Sequence, residues 1–315
     1  ALQLPSGFFI SCQAKEEYPM SRLLIGKTVS AALLPSLQNQ ASLLKEKGVE
    51  PVLALIRIGN RLSDVRYQTS IQKRCSSIGI TCRPQILPEN CRQQDLLRLI
   101  RQVNQDMSIH GCLIFRPFPP AFDDALIRAS LAPEKDVDGI TDASLAGLFT
   151  GAPTGYSPCT AAACMEILNH YDIPVKGRDV VVIGSSLVIG RPVAMEFLKR
   201  EATVTICHIR TKDVGKYCRS ADIIVSAAGC RNLVTASMVR PGQTLIDVGI
   251  NPAENGGICG DVDFSNVSPI VDAITPVPGG VGSVTTAILA RHVLEAAEKA
   301  SRPFLVLGRP SPENG

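Results

Sequence analysis

A chain of 315 residues, 45% hydrophobic and 19% charged, is long enough for two domains and has the balance of a soluble globular protein. A formal net charge of +3, with no Trp and no long basic and aromatic run, argues against nucleic acid or an anionic membrane as partner. The 11 Cys and 4 His show no C-x-x-C spacing, so no metal site is expected and a reducing cytoplasm is the expected location.

No apolar stretch is long enough to span a bilayer. Leu2 to Ile10 is mildly apolar but lacks a basic lead, so it does not read as a signal peptide. Residues 1–19 and 302–315 read as disordered tails. Helical periodicity runs from Leu23 to Glu46 through Val29, Leu33, Leu37 and Leu44. Pro51 to Ile58 reads as a strand closed by Gly59-Asn60, and Asp64 to Ser77 as a helix with Ser63 as its N-cap. Thr81 to Leu87 reads as a strand and Arg92 to Met107 as an amphipathic helix. Gly111 to Phe115 is a strand running into Arg116-Pro-Phe-Pro-Pro120, and Phe122 to Ser130 is a helix. Pro133 to Gly139 is a charged loop, followed by a Gly-rich segment to Gly155, where a domain boundary is expected. Thr160 to His170 reads as a helix that links the domains.

Asp179 to Ile183 is a short β-branched run, the composition of a strand buried on both faces. Gly184 ends it, Ser185 to Gly190 forms a turn of mostly small residues, and Pro192 suits the first position of a helix running to Lys199. Ala202 to Cys207 is the next strand. Strand, glycine turn, helix and strand make a βαβ unit able to hold a pyrophosphate on a helix N-terminus, although glycines at 184 and 190 do not match G-x-G-x-x-G. Ala221 to Gly229 and Thr244 to Ile250 repeat the buried-strand pattern, Thr275 to Gly282 is a loop, and Val284 to Ala300 is a final helix. The alternation implies an open α/β sheet with parallel strands.

These segments resemble the methylenetetrahydrofolate dehydrogenase/methenyltetrahydrofolate cyclohydrolase family. The resemblance rests on Lys135-Asp-Val-Asp-Gly139, Pro158-Cys-Thr160, Val181-Val-Ile-Gly-x-Ser186, Gly190-Arg-Pro192, Thr205-x-Cys-His208, Asp247-x-Gly-Ile-Asn251, Gly260-Asp-Val262 and Thr275-Pro-Val-Pro-Gly-Gly-Val-Gly282, in family order. It implies a two-domain α/β fold. A smaller α/β folate-binding domain covers 20–155, a Rossmann-type NAD(P)-binding domain covers 156–283, a cleft lies between them, and the helix 284–301 packs back on the first domain. It also implies a homodimer.

The resemblance makes Tyr67 the residue stacking on the folate near the reacting carbon and Asp138 the acid binding the pterin ring. An aromatic face suits a flat heterocycle, and a carboxylate can accept two parallel N–H bonds. Pro278, Gly279, Gly280, Val281 and Gly282 match the substrate loop, with Ile71, Ile114, Phe115 and Arg116 also expected against the substrate. Gly184, Ser185, Ser186, Gly190, Ile209 and Ile250 are expected to line the nucleotide.

Three departures matter. The family's catalytic lysine, four residues after the tyrosine, is Ile71 here, and the glutamine that contacts it is Phe115. Lys73 is two residues further on, about 200° around a helix, and should point elsewhere. Proton transfer needs a titratable group, whereas hydride transfer mainly needs orientation. The expectation is therefore dehydrogenase activity with cyclohydrolase lost or weak. The alternatives are a bifunctional enzyme recruiting Lys73 or Arg116, and a paralogue that binds folate or nucleotide without turnover. In the cofactor site, Ser185 and Ile209 stand where NADP-using members commonly carry Arg and Ser. That leans towards NAD, with Arg191 and Arg210 as alternative seats for a 2′-phosphate. In the substrate loop, Ser283 replaces a usual proline.

Overall fold

The computed structural model describes residues 21–254 and 256–301, so both expected disordered tails lie outside the described residues. The first half of the chain contains β1 (Arg22–Leu23), α1 (Gly26–Glu46), β2 (Val52–Ile58), α2 (Leu62–Ile78), β3 (Thr81–Leu87), α3 (Gln93–Gln105), β4 (Gly111–Ile114), α4 (Asp124–Ser130) and α5 (Asp142–Thr150). After α6 (Cys159–His170), the second half runs β5 (Asp179–Ile183), α7 (Gly190–Leu198), β6 (Thr203–Cys207), α8 (Val214–Ser220), β7 (Ile223–Ser226) and β8 (Thr244–Asp247). It closes with β9 (Asn251–Pro252), β10 (Ile258–Cys259), α9 (Phe264–Val267), β11 (Ala273–Ile274) and α10 (Gly282–Ser301).

Two parallel sheets result. The smaller has the order β3-β2-β4, and Leu53 to Ile56 of its central strand are fully buried, as expected of a strand covered on both faces. The larger has the order β1-β11-β8-β7-β5-β6, all parallel. In it β5 has β6 on one side and β7 on the other, so the chain steps from β5 out to β6 and then crosses back over β5 to β7, which reverses the strand order there. A crevice opens outside the carboxyl ends of the strands at such a switch point.

One hydrophobic core joins the halves. It includes Leu53 and Leu55 of β2, Val180 and Val182 of β5, Ile167 and Leu168 of α6, and Ile288 and Leu294 of α10. Helix α10 packs on α1, α2 and α6.

Several local expectations are corrected. Helix α2 starts at Leu62, with Arg61 at its N-cap, and the Ser63 hydroxyl bonds Asp64 instead of capping. Pro192 is the third residue of α7, still in the first turn where a missing N–H costs little. Leu23 belongs to strand β1 rather than to the first helix, and pairs with Ile274 on the far edge of the larger sheet. The Gly-rich segment before Gly155 contains α5, which Thr141 caps by accepting from Ser144 N at 3.1 Å and Gly151 ends at φ +76°.

Candidate active site

Two cavities meet at Tyr67. The first, about 250 Å³, is lined by Ile114, Phe115, Arg116, Asp138, Cys159 and Leu187, among others. The second, about 430 Å³, is lined by Asp247, Ile250, the loop Pro276 to Ser283 and Thr285. Tyr67 and Thr160 line both, so the cavities are two chambers of one cleft with the tyrosine at the partition.

Helix α2 presents Tyr67 to the cleft with 38% of the residue exposed. Burial of the phenol, followed by the charge of Asp138, nevertheless raises its pKa above the ordinary tyrosine range. The exposure belongs to the ring as a whole and the shift to the hydroxyl. The shift governs titration, so the hydroxyl is a neutral donor at physiological pH. Phe115, directly after β4, meets the Tyr67 ring edge-on, with centroids 5.9 Å apart and planes at 73°.

Asp138 is placed by its neighbours. Asp136, fully buried, accepts from Ile140 N at 2.9 Å, Thr141 N at 2.7 Å and Ser144 Oγ at 2.6 Å, so it clamps the loop to the start of α5. The two acids of Lys-Asp-Val-Asp-Gly thus divide their work: the first holds the backbone and the second faces the cavity. Gly139 permits this at φ +74°, because a Cβ there would lie 2.6 Å from Pro158 N. Burial, then the charge of Asp136, pushes the Asp138 carboxyl up to about 6, while the Cys159 thiol and Arg116 pull it down.

From behind, α6 and α10 brace the loop. Cys159 Sγ donates to Val137 O at 3.3 Å, and His292 Nδ1 lies 2.9 Å from the same carbonyl. A carbonyl only accepts, so Nδ1 carries the proton. Burial drops the His292 pKa to about 4, leaving a neutral imidazole. Sequence reasoning assigned no role to Cys159 or His292. The position of Cys159 between Pro158 and Thr160 was the only available sign.

Ile71 is corrected as a substrate contact. It is 1% exposed, belongs to the main core and lines neither chamber. Lys73 lines a separate recess, as its angular position predicts. The first chamber's cations are Arg116 and Arg128, and Asp124 holds both at 2.8 Å. Arginine keeps its proton throughout the physiological range.

At the switch-point crevice, Gly184 closes β5 with φ +119°, and Ser186 Oγ accepts from Ile189 N at 3.2 Å. A Cβ on Gly190 would lie 2.1 Å from Gly184 O, so the turn presses on the helix start as closely as backbone allows. Among the described residues, the N–H groups of Leu187 and Val188 have no internal acceptor. This cradle of donors at the α7 N-terminus fits a dinucleotide pyrophosphate. Gly184, Ser185, Ser186 and Gly190 form the cradle without lining either chamber. Ile209, 97% exposed, stands just beyond β6, and Ile250 lines the second chamber.

Two acids tie the loops over the sheet. Asp261 accepts from Ala228 N, Gly229 N and Cys230 N at 2.7, 3.1 and 2.9 Å. Asp247 accepts from Gly249 N, Asp261 N and Val262 N at 2.9, 3.0 and 3.1 Å. Burial pushes Asp247 up to about 6 despite these bonds. Among the described residues no helix is long and apolar enough to cross a membrane.

Comparison with known proteins agrees with this geometry. The family model for the tetrahydrofolate dehydrogenase/cyclohydrolase catalytic domain matches residues 24–138, and that for the NAD(P)-binding domain matches residues 158–301. A curated relative, the bifunctional protein FolD of Carboxydothermus hydrogenoformans, is 45% identical over 281 residues, covering 89% of this chain and 98% of its own. The crystal structure of the bifunctional FolD enzyme of Campylobacter jejuni superposes with a TM-score of 0.86 at 42% identity, covering 89% of this chain and 99% of that one. The Trypanosoma brucei dehydrogenase-cyclohydrolase, solved with NADP and an inhibitor, gives 0.86 at 32% identity, covering 90% and 100%.

Proposed function

Because this chain belongs to the tetrahydrofolate dehydrogenase/cyclohydrolase family, we propose that it is an NAD(P)-dependent 5,10-methylenetetrahydrofolate dehydrogenase whose cyclohydrolase activity is lost or very weak. The observation carrying this reading is the contrast at Tyr67. An aromatic face and the Asp138 carboxylate share one chamber, while the next turn of α2 offers the buried hydrocarbon of Ile71.

In this reading the Asp138 carboxylate accepts the N–H groups of the pterin edge, and the Tyr67 ring supports the one-carbon bridge at the partition. The Pro278 to Gly282 loop closes the substrate from the second chamber. A bound nicotinamide cofactor would supply the hydride acceptor for oxidation of the methylene bridge to methenyl. Gly184, Ser185, Ser186 and Gly190 seat the nucleotide, with Ile209 and Ile250 at its edges. Ser185 and Ile209 offer a 2′-phosphate no cation, which favours NAD. The enzyme is read as a cytoplasmic homodimer.

Water addition needs a group that can give and take a proton beside the bridge. Tyr67 is held above its ordinary pKa, and Arg116 is paired with Asp124. The rival is a bifunctional enzyme, favoured by the bifunctional relatives at 42–45% identity. Purified protein assayed for methylene oxidation with NAD and with NADP, and separately for methenyl hydrolysis, separates them. Oxidation without hydrolysis supports the proposal, and both activities support the rival. Neither activity, with folate raising the melting temperature, marks a protein that binds without turnover.

A further inference from the structure

Helix α2 and strand β3 meet through two cysteines. Cys75 lies in the last turn of α2 with no exposed surface, and Cys82 is the second residue of β3. Gly79, at φ +102°, stops the helix, and the N–H groups of Gly79 and Ile80 both donate to Cys75 O at 2.9 Å. That tight turn sends β3 back along α2, and the Cys75 thiol hydrogen-bonds the Cys82 sulfur.

The two sulfurs differ in their surroundings. Cys75 belongs to the main core. Cys82 only packs against that core and lines a surface recess of about 380 Å³ with Lys45, Gln72, Ser76 and Thr81. Solvent therefore reaches Cys82 and not Cys75. The bond from Cys75 holds the Cys82 thiol below its ordinary pKa, although burial pulls the other way, and the same bond together with burial raises Cys75. Lys45 adds an ammonium to the recess, and none of the ion pairs among the described residues uses it. An accessible thiol beside a donor and a cation is the setting of a reactive cysteine, whereas a thiol sealed in apolar surroundings is inert until its neighbour changes.

We propose that Cys82 is a site of reversible oxidation by hydroperoxides, with Cys75 as the thiol that resolves it to a disulfide. The Cys82 thiolate attacks one peroxide oxygen and the O–O bond breaks. The alkoxide or hydroxide that leaves takes up a proton, and the sulfur, oxidised by two electrons, becomes a sulfenic acid. The Cys75 sulfur then attacks Cys82 Sγ, and the hydroxyl leaves as water with the Cys75 proton. In sum, two thiols and one hydroperoxide give one disulfide, one alcohol or water, and one further water. The product ties the end of α2, about two turns beyond Tyr67, to β3. A reducing compartment keeps the pair as thiols until an oxidant arrives, and a small dithiol restores them.

Peptide mapping of the full chain tests the assignment. Reduced protein, freed of reductant, is treated with equimolar hydrogen peroxide, then alkylated in denaturant and digested. The expected product is a peptide pair joined through Cys75 and Cys82, two hydrogens lighter than its reduced form and reversed by dithiothreitol. It should form about tenfold or more faster than any oxidation of the half-buried Cys91 or the exposed Cys230. In Cys75→Ala the reaction should stop at a Cys82 sulfenic acid that a 1,3-dione traps, and in Cys82→Ala residue 75 should stay reduced. Oxidation of Cys91 or Cys230 while Cys75 and Cys82 remain open to alkylation overturns the proposal. So does a sulfenic acid that persists on Cys82 of the wild-type chain. Both of these outcomes are read on the wild-type protein, so the test stands even if a variant folds poorly.

Discussion

The ring of Tyr67 packs edge-on against Phe115, which is itself buried after β4. An edge-to-face contact fixes the tyrosine ring and leaves a face of it for a flat substrate. It also puts a hydrocarbon ring at position 115, where the family resemblance leads one to expect a glutamine.

The first prediction follows from that pair. Ile71→Lys alone buries an ammonium at a site 1% exposed, with no acceptor, and should cost about 3 kcal/mol or more of stability. It should add no hydrolysis. Ile71→Lys with Phe115→Gln supplies an acceptor and should raise methenyl hydrolysis while recovering part of the stability. Denaturant melts and the hydrolysis assay on both variants check this. A robust hydrolytic gain from the single change would refute the coupling.

The second prediction concerns pH. Burial, then Asp136, holds Asp138 at about 6, above the roughly 4 of a free carboxyl. A raised folded-state pKa means that the folded chain binds the proton more tightly. The associated stability is fully present below about pH 4 and is lost as pH rises to about 6. Asp138→Asn should therefore leave stability near pH 4 unchanged and raise it at pH 7.5 by about 1–2 kcal/mol, discounted for the open side of the chamber. Asp247 titrates in the same window, and the difference between the two proteins cancels it. Folate affinity of the variant should fall about tenfold or more, because a neutral amide cannot replace a carboxylate that accepts two N–H bonds. In the wild type, affinity should weaken as pH falls below 6. A variant that melts lower than wild type at pH 7.5 would show that Asp138 holds the fold instead of waiting for a ligand.

Much of this architecture was legible because its strands carry strong signals. Val180, Val181, Val182 and Ile183 are β-branched and buried, and glycines end the buried-strand patterns. The two-residue strands β1 and β11 are too short to show any period, so the edge of the larger sheet was invisible. Helix α5 was hidden by Gly147 and Gly151, although the Thr141 cap and the glycine stop were in plain view. At the site, the pairing of Tyr67 with Asp138 required the family motif, since Asp136 and Asp138 look alike in sequence. Their division of labour depends on which one reaches the backbone of α5. The role of His292 depends on a contact made from the far end of the chain.

The third prediction isolates the nucleotide cradle. Gly190→Ala would drive a Cβ to within 2.1 Å of Gly184 O, and backbone on both sides cannot yield cheaply. The turn must open and its free N–H groups must splay. The Michaelis constant for the cofactor should rise about tenfold or more, while folate affinity changes little because Asp138 and Tyr67 lie on other elements. Loss of folate binding to the same extent would mean that the two chambers are not separable.

The fourth prediction addresses cofactor choice. A 2′-phosphate needs a cation with donors, and Ser185 and Ile209 provide none. Ser185→Arg with Ile209→Ser should shift the ratio of kcat/KM for NADP over NAD upward by about tenfold or more, the effect of one well-placed guanidinium. Two native arginines compete for that role, and the structure separates them. Arg191 Nε already donates to Ser185 O at 3.0 Å, which ties its side chain to the turn. Arg210 uses its backbone N–H on His208 Nδ1 at 3.1 Å, and its guanidinium has no partner among the described residues. If the wild-type protein prefers NADP, Arg210→Gln should abolish that preference and Arg191→Gln should weaken both cofactors alike. A wild-type preference for NADP would itself overturn the assignment of NAD, and its survival in Arg210→Gln would exclude that arginine as the seat.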